Sequence, residues 1–153
     1  MRTRIEAAGF SLLEMLLVLV LVAAASVLAM AAFGGSLRGA RLHAAANEVA
    51  AQLRFTRAVA IRSGTAQEFL LEPQTRRWRA AHGRKGHLPE TGTLTFTGAR
   101  DLQPASGVGA IRFFPDGAAS GGRIRFAAGG GGWDVDVAWL TGEVRVRRLR
   151  GAP

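Results

Sequence analysis

Gly9-Phe10-Ser11-Leu12-Leu13-Glu14 separates a short polar leader from a long apolar run and places one acid inside that run. From Met15 to Leu37 there are 23 residues without a charge, and at about 1.5 Å of rise each a helix of that length crosses a ~30 Å hydrocarbon core. A secretory signal peptide has a shorter apolar stretch, roughly 7 to 15 residues, ahead of a small-residue cleavage site. Ala23-Ala24-Ala25 and Ala29-Met30-Ala31 supply small residues, but the run is too long for that reading. A carboxylate near the start of a membrane helix costs about 2.5 to 3.5 kcal/mol on insertion scales and is rarely kept without a partner. Glu14 is a functional candidate on that ground.

Outward from this segment the helix is expected to continue. Leu42, Ala46, Val49, Leu53, Thr56 and Ala60 recur at spacings of three and four, which gives one apolar face. Arg41, Asn47, Glu48, Gln52 and Arg54 fall mostly elsewhere, and Ser63-Gly64 supplies a helix end. Gly34-Gly35 and Gly39 weaken the helix, so a local kink or melt is expected there.

After Gly64 helical spacing gives way to short alternating runs punctuated by Gly, Pro and Asp, the pattern of antiparallel strands. Gln67 to Glu72 and Arg76 to Ala81 read as a hairpin around Pro73-Gln74-Thr75. Ala81 to Pro89 reads as a loop before a strand at Thr93 to Thr97, and Leu102 to Gly109 as another loop. Ile111 to Phe114 leads into a Pro115-Asp116-Gly117 turn, and Gly121-Gly122 into a strand with Arg123-Ile124-Arg125-Phe126. Gly129 to Gly132 reads as a mobile loop.

Trp133, Val135, Val137 and Trp139 then share one strand face, and Asp134 and Asp136 the other. If Leu140-Thr141 is a two-residue turn, Trp139 pairs with Gly142 and later partners have residue numbers that sum to 281. Val137 then faces Val144 and Val135 faces Val146, while Asp136 faces Arg145 and Asp134 faces Arg147. A loop two residues longer keeps the same faces.

The 89 residues after Gly64 suffice for one small domain, marginal unless it packs on the preceding helix. With no cysteine there is neither a disulfide nor a thiolate site. The net charge is +9, and 19 of the 20 cationic residues are Arg. A basic chain can meet nucleic acid, anionic lipid or an acidic partner, although an Arg-, Ala- and Gly-rich composition also reflects codon bias.

The junction Gly9-Phe10 with Glu14, behind a leader holding Arg2 and Arg4, resembles the processing site of the type IV pilin and type II secretion pseudopilin superfamily. The resemblance implies cleavage between Gly9 and Phe10 by a prepilin peptidase, N-methylation of Phe10, and Glu14 at the family's acid position. There the α-amino group of a neighbouring subunit can neutralise it and set register. Phe113-Phe114-Pro115-Asp116-Gly117, Gly121-Gly122 and Trp139-Leu140-Thr141-Gly142 with Val144 resemble the carboxyl-terminal pattern of the GspH-like minor pseudopilins, the GspH/FimT family.

The fold this implies is α+β and pilin-like, a long N-terminal helix packed against a C-terminal antiparallel β-sheet domain. Its parts are a leader at 1–9, a transmembrane and assembly half-helix at 10–37, an amphipathic half-helix at 38–63 and a periplasmic β-rich domain at 64–153. The function implied is that of a structural subunit near the tip of a periplasmic pseudopilus. Implied partners are major and minor pseudopilins, the prepilin peptidase/methyltransferase and secreted exoproteins. The family orientation puts the N-terminus in the cytoplasm, with a single pass of the inner membrane, although Arg38, Arg41, Arg54 and Arg57 outnumber Arg2 and Arg4 and the positive-inside count favours the reverse.

Each motif also has a packing reading. Pro115-Asp116-Gly117 fits turn chemistry, and the tryptophans fit core and sheet-face positions. Neither glycine-rich stretch has the phosphate-loop pattern. His43, His82 and His87 are scattered, and Asp134 and Asp136 are expected beside Arg145 and Arg147, which repel a metal. No enzyme, no cofactor and no calcium site is therefore expected. The competing reading is a FimT-like type IV minor pilin for pilus assembly or DNA uptake, with Arg145, Arg147, Arg148 and Arg150 as its basic patch. Two of those arginines have expected carboxylate partners, and no interleaved aromatics mark a base-stacking surface.

Overall fold

The computed structural model describes residues 11–98 and 107–149, and the chain divides into two units, up to Leu37 and from Arg38 onward. Helix α1 (Leu12–Ser63) contributes to both. Its start follows from Ser11, whose Oγ accepts from the Leu13 N–H at 3.2 Å and whose carbonyl accepts from Glu14 and Met15. This N-cap satisfies donors that a helix start leaves open. Its end follows from Gly64, at φ 63°, the left-handed conformation that glycine adopts without a Cβ penalty. The helical backbone continues through Gly34-Gly35 and Gly39, so the local melt expected there does not occur.

In the first unit, α1 from Leu12 to Met30 is long and apolar enough to cross a membrane, with a mean hydropathy of 2.7 and none of it buried. In the second unit the helix is amphipathic. All six positions expected on its apolar face, Leu42, Ala46, Val49, Leu53, Thr56 and Ala60, are buried. Thr56 is tolerated there because its hydroxyl donates to the Gln52 carbonyl at 2.8 Å, so no polar group is left unpaired.

Among the described residues, this unit also holds two four-stranded antiparallel sheets. The strands are β1 (Gln67–Glu72), β2 (Arg77–Arg79), β3 (Lys85–His87), β4 (Thr93–Gly98), β5 (Gly109–Phe113), β6 (Gly122–Ala128), β7 (Gly131–Val137) and β8 (Val144–Leu149). One sheet has the order β3-β2-β1-β5 and the other β4-β6-β7-β8. Phe69, Leu71, Ile111 and Phe113 from the first sheet meet Ile124, Phe126, Val135 and Val137 from the second around Val49 and Leu53 of the helix, forming one core.

The β7–β8 register is the expected one, with Val137 opposite Val144, Asp136 opposite Arg145, Val135 opposite Val146 and Asp134 opposite Arg147. The loop is two residues longer than a two-residue turn: Ala138 N–H donates to the Glu143 carbonyl, and Trp139 to Gly142 form the turn. Trp139 therefore leaves the strand face and is exposed.

Two stretches read as loops are structured. Ala81 to Pro89 holds one turn of 3-10 helix (Ala81–Gly83) and β3. The Trp78 indole lies over Gly86, where a Cβ would sit 2.6 Å from Cε2 and 2.8 Å from Nε1, so the glycine that reads as a loop marker is what lets β3 pass beneath the ring. Gly129 to Gly132 is likewise no mobile loop. Gly131 and Gly132 belong to β7, and Gly129-Gly130 make a two-residue turn with φ of 56° and 79°, the positive pair that a tight type I′ hairpin turn requires. The loop expected at Leu102 to Gly109 lies largely outside the described residues, and Gly109 begins β5.

Candidate functional site

Glu14 sits in the first turn of α1, where the helix dipole favours an anion. It lies at the start of an apolar helix whose side chains from Leu12 to Val22 are exposed. Gly9 and Phe10 lie outside the described residues.

Two of the carboxyl-terminal motifs, those of Gly117 and Gly142, meet at a side chain whose role the sequence reading missed. Phe114 to Ala118 is a closed turn, in which Gly117 N–H donates to the Phe114 carbonyl at 2.9 Å and Asp116 Oδ1 accepts from Ala118 at 3.0 Å; Pro115 lies exposed within it. The Gly117 carbonyl accepts from Arg57 Nε at 2.9 Å. Gly142, at φ 61°, closes the β7–β8 turn by donating to the Ala138 carbonyl at 2.8 Å. A Cβ on Gly142 would collide with the Gly117 carbonyl oxygen and lie 2.8 Å from Arg57 Nε. At Gly121 a Cβ would lie 3.0 Å from that of Trp139, whose carbonyl accepts from Ala119 at 2.9 Å. Gly122 starts β6, and Thr141 Oγ1 accepts from Glu143 at 3.3 Å within the turn. Arg57 thus bonds the Phe114–Ala118 turn to the last part of the helix, across 60 residues of sequence, and Gly142 of the second turn packs against both partners of that bond.

The charged face of the second sheet differs from expectation. Asp134 takes a bidentate pair from Arg125, Nε at 2.8 Å and Nη2 at 2.9 Å, and lies 3.7 Å from Arg123. Asp136 bonds Arg123, with Arg147 Nε at 3.5 Å. Arg145 turns away to Glu143, at 2.8 and 2.7 Å. Strand β6 therefore supplies the main partners, which a reading confined to β7 and β8 cannot find. Hydrogen bonding from Arg125 holds the Asp134 carboxyl below the usual carboxylate range, against the opposing effect of burial and with help from the charges of Arg125, Arg123 and Arg147. Of the basic patch that the competing reading would use, the described arginines are divided between two faces of β8. Arg145 and Arg147 alternate with Arg148, which pairs opposite Trp133 on the other face, and Arg150 lies outside the described residues.

Among the described residues no group of His, Cys, Asp and Glu is placed to hold a metal. His43 stacks on Trp133 at 4.0 Å, and His82 lies edge-on to Phe55 at 6.0 Å.

The family model described as Type II transport protein GspH matches residues 45–142. The chain belongs to the GspH family. The match runs from the amphipathic helix through the turn closed by Gly142, so it spans Arg57, Gly117 and Gly142. The chain is 54% identical over 142 residues, 93% of its own length and 84% of the relative's, to a protein of Xanthomonas campestris pv. campestris described as Type II secretion system protein H. GspH pseudopilins are structural subunits rather than enzymes, with other pseudopilins as partners, and the apolar helix fits a membrane-anchored member. Two crystal structures of the type IV minor pilin FimU of Pseudomonas aeruginosa share the pilin-like α+β fold. One has a TM-score of 0.55 at 17% identity and covers 72% of this chain and 98% of that one; the other has 0.52 at 18%, with 72% and 93% covered.

Proposed function

We propose that this minor pseudopilin of the type II secretion system is a subunit near the tip of a periplasmic pseudopilus and promotes export of folded proteins across the outer membrane. On this reading the prepilin peptidase cuts between Gly9 and Phe10, Phe10 is N-methylated, and the α-amino group of a neighbouring subunit neutralises Glu14. The amino terminus faces the cytoplasm, and the domain from Gly64 onward lies in the periplasm. The observation that carries the proposal is the pairing of an uncovered apolar helix, acid in its first turn, with a domain whose family motifs are engaged in packing rather than chemistry. DNA uptake is disfavoured because Arg125, Arg123 and Arg145 are tied to Asp134, Asp136 and Glu143, and Arg148 lies on the opposite face.

Three measurements test the proposal together. Mass analysis of the mature chain is expected to give an N-methylated Phe10 terminus, and an intact leader in peptidase-competent cells refutes the processing step. Deletion of the gene is expected to strand exoproteins in the periplasm, with Glu14→Ala failing to restore export. Duplex DNA is expected to bind negligibly at physiological salt; tight binding that falls steeply with salt supports the uptake reading instead.

A further inference from the structure

Among the described residues of the second unit, the most exposed large apolar side chains are carried by the turn that the motif glycines hold in place. Trp139 is 67% and Leu140 65% exposed, and Ile61 and Phe114 nearby are 47% and 37% exposed. These residues are neighbours through their anchors. Gly117 lies against Ile61 and closes the turn that begins at Phe114, while Gly142 lies against Gly117 and closes the turn that carries Trp139 and Leu140. Ile61 is in the last turn of α1, 23 residues beyond Arg38, or about 35 Å along the helix. Within this unit, the patch therefore lies at the far end of the helix from Arg38. Its geometry is fixed in advance by the Arg57–Gly117 bond and by the bonds to Ala138 and Trp139, which lowers the ordering cost of using it as a contact.

Resting on the assembly reading above, we infer that the Trp139-Leu140 turn is the knob by which this subunit docks on an adjacent pilin-type subunit of different sequence in the same fibre. The size of the patch selects that occupant. Four such side chains expose on the order of 400 Å² of apolar surface, whereas a free-standing complex buries about 800 Å² on each partner. The patch alone is too small to hold a soluble partner. It suffices for a neighbour that is already tethered, because a second simultaneous contact turns docking into an intramolecular event. The chain has such a second surface in the uncovered helix Leu12–Met30.

The test uses the full chain in cells that assemble pseudopili, with p-benzoyl-phenylalanine in place of Leu140 or, as a control, of the exposed Lys85 on β3. Ultraviolet irradiation is expected to link position 140, and not position 85, to another pilin-type subunit identified by mass spectrometry. Leu140→Ser, which alters a side chain outside the core, is expected to lower incorporation into purified pseudopili about tenfold or more, as truncation of an interface anchor does, with membrane level and protease resistance unchanged. An adduct with a second copy of this chain, a secreted protein or lipid, or no adduct from chains that are present in pseudopili, overturns the docking inference alone. Absence of the unsubstituted chain from pseudopili overturns the assembly reading and this inference with it.

Discussion

Gly142→Ala is the perturbation that weighs the Arg57 pin. Two costs add at this position. The first is conformational: φ is 61°, and a residue with a Cβ in the left-handed region costs roughly 1 to 2 kcal/mol. The second is steric, because the new methyl overlaps the Gly117 carbonyl oxygen and stands 2.8 Å from Arg57 Nε, so the carbonyl and the guanidinium cannot both stay in place. A hydrogen bond from a charged donor is worth about 1.5 to 3 kcal/mol, which brings the expected destabilisation to about 2.5 to 5 kcal/mol. Gly129→Ala is the matched control. Its φ is 56° and a Cβ there meets nothing within 4 Å, so only the conformational cost applies. Urea unfolding of the full chain in detergent micelles, followed by fluorescence of Trp78, Trp133 and Trp139, measures both variants. Equal losses for the two would refute the claim that Gly142 is required by contact with Gly117 and Arg57.

Three further outcomes are expected. Asp134 has a depressed pKa, so its contribution to stability is fully present above the unfolded value of about 3.9 and is lost as pH falls through the lower folded value. The stability gap between the parent chain and Asp134→Asn should therefore narrow from about pH 6 to about pH 3, and a constant gap across that range refutes the pairing with Arg125. Gly86→Ala drives a methyl into the Trp78 indole and should cost about 1 to 3 kcal/mol, with a shift in Trp fluorescence; an unshifted spectrum means the ring does not rest on β3. Arg57→Met keeps much of the side chain's bulk but removes the donor, and should cost about 1.5 to 3 kcal/mol, less than additively with Gly142→Ala. Strict additivity in a double-mutant cycle would show that the two positions are not coupled.

What could be read from the sequence was whatever depends on local period. The helix face from Leu42 to Ala60 was legible because apolar spacing of three and four admits one helical face, and the β7–β8 register because alternation of Val with Asp and of Val with Arg fixes the faces whatever the turn length. The turn itself was not legible, since Trp139 and Leu140 continue the apolar pattern while being exposed. Glycine misled twice in the same direction. Gly86 and Gly132 are strand residues where another chain element presses close, a contact that composition does not encode. The partners of Asp134 and Asp136 were misassigned because the reading paired β7 with β8 alone, while the arginines that bond most closely come from β6 on the other side of β7. Arg57 lies just off the apolar stripe, and nothing local marks it as the residue that bonds the Phe114–Ala118 turn.

The positions of the motif glycines bear on what a family resemblance can say about role. Gly142 cannot take a side chain without displacing Gly117 or Arg57, and Gly121 has room for little beside Trp139. These residues are dictated by closure of the domain, so they would be required in any subunit built this way, whatever it contacts. They identify the fold and say little about the neighbour. Discrimination between fibres must instead reside in side chains that the fold leaves free to vary, and in the turn closed by Gly142 those are Trp139 and Leu140, exposed and anchored only through their backbones and the Trp139 Cβ. Exchanging this pair for polar residues should therefore leave unfolding unchanged within about 0.5 kcal/mol while abolishing incorporation, whereas Gly142→Ala should depress both. A polar pair that unfolds the domain would place Trp139-Leu140 among the structural residues and remove the distinction.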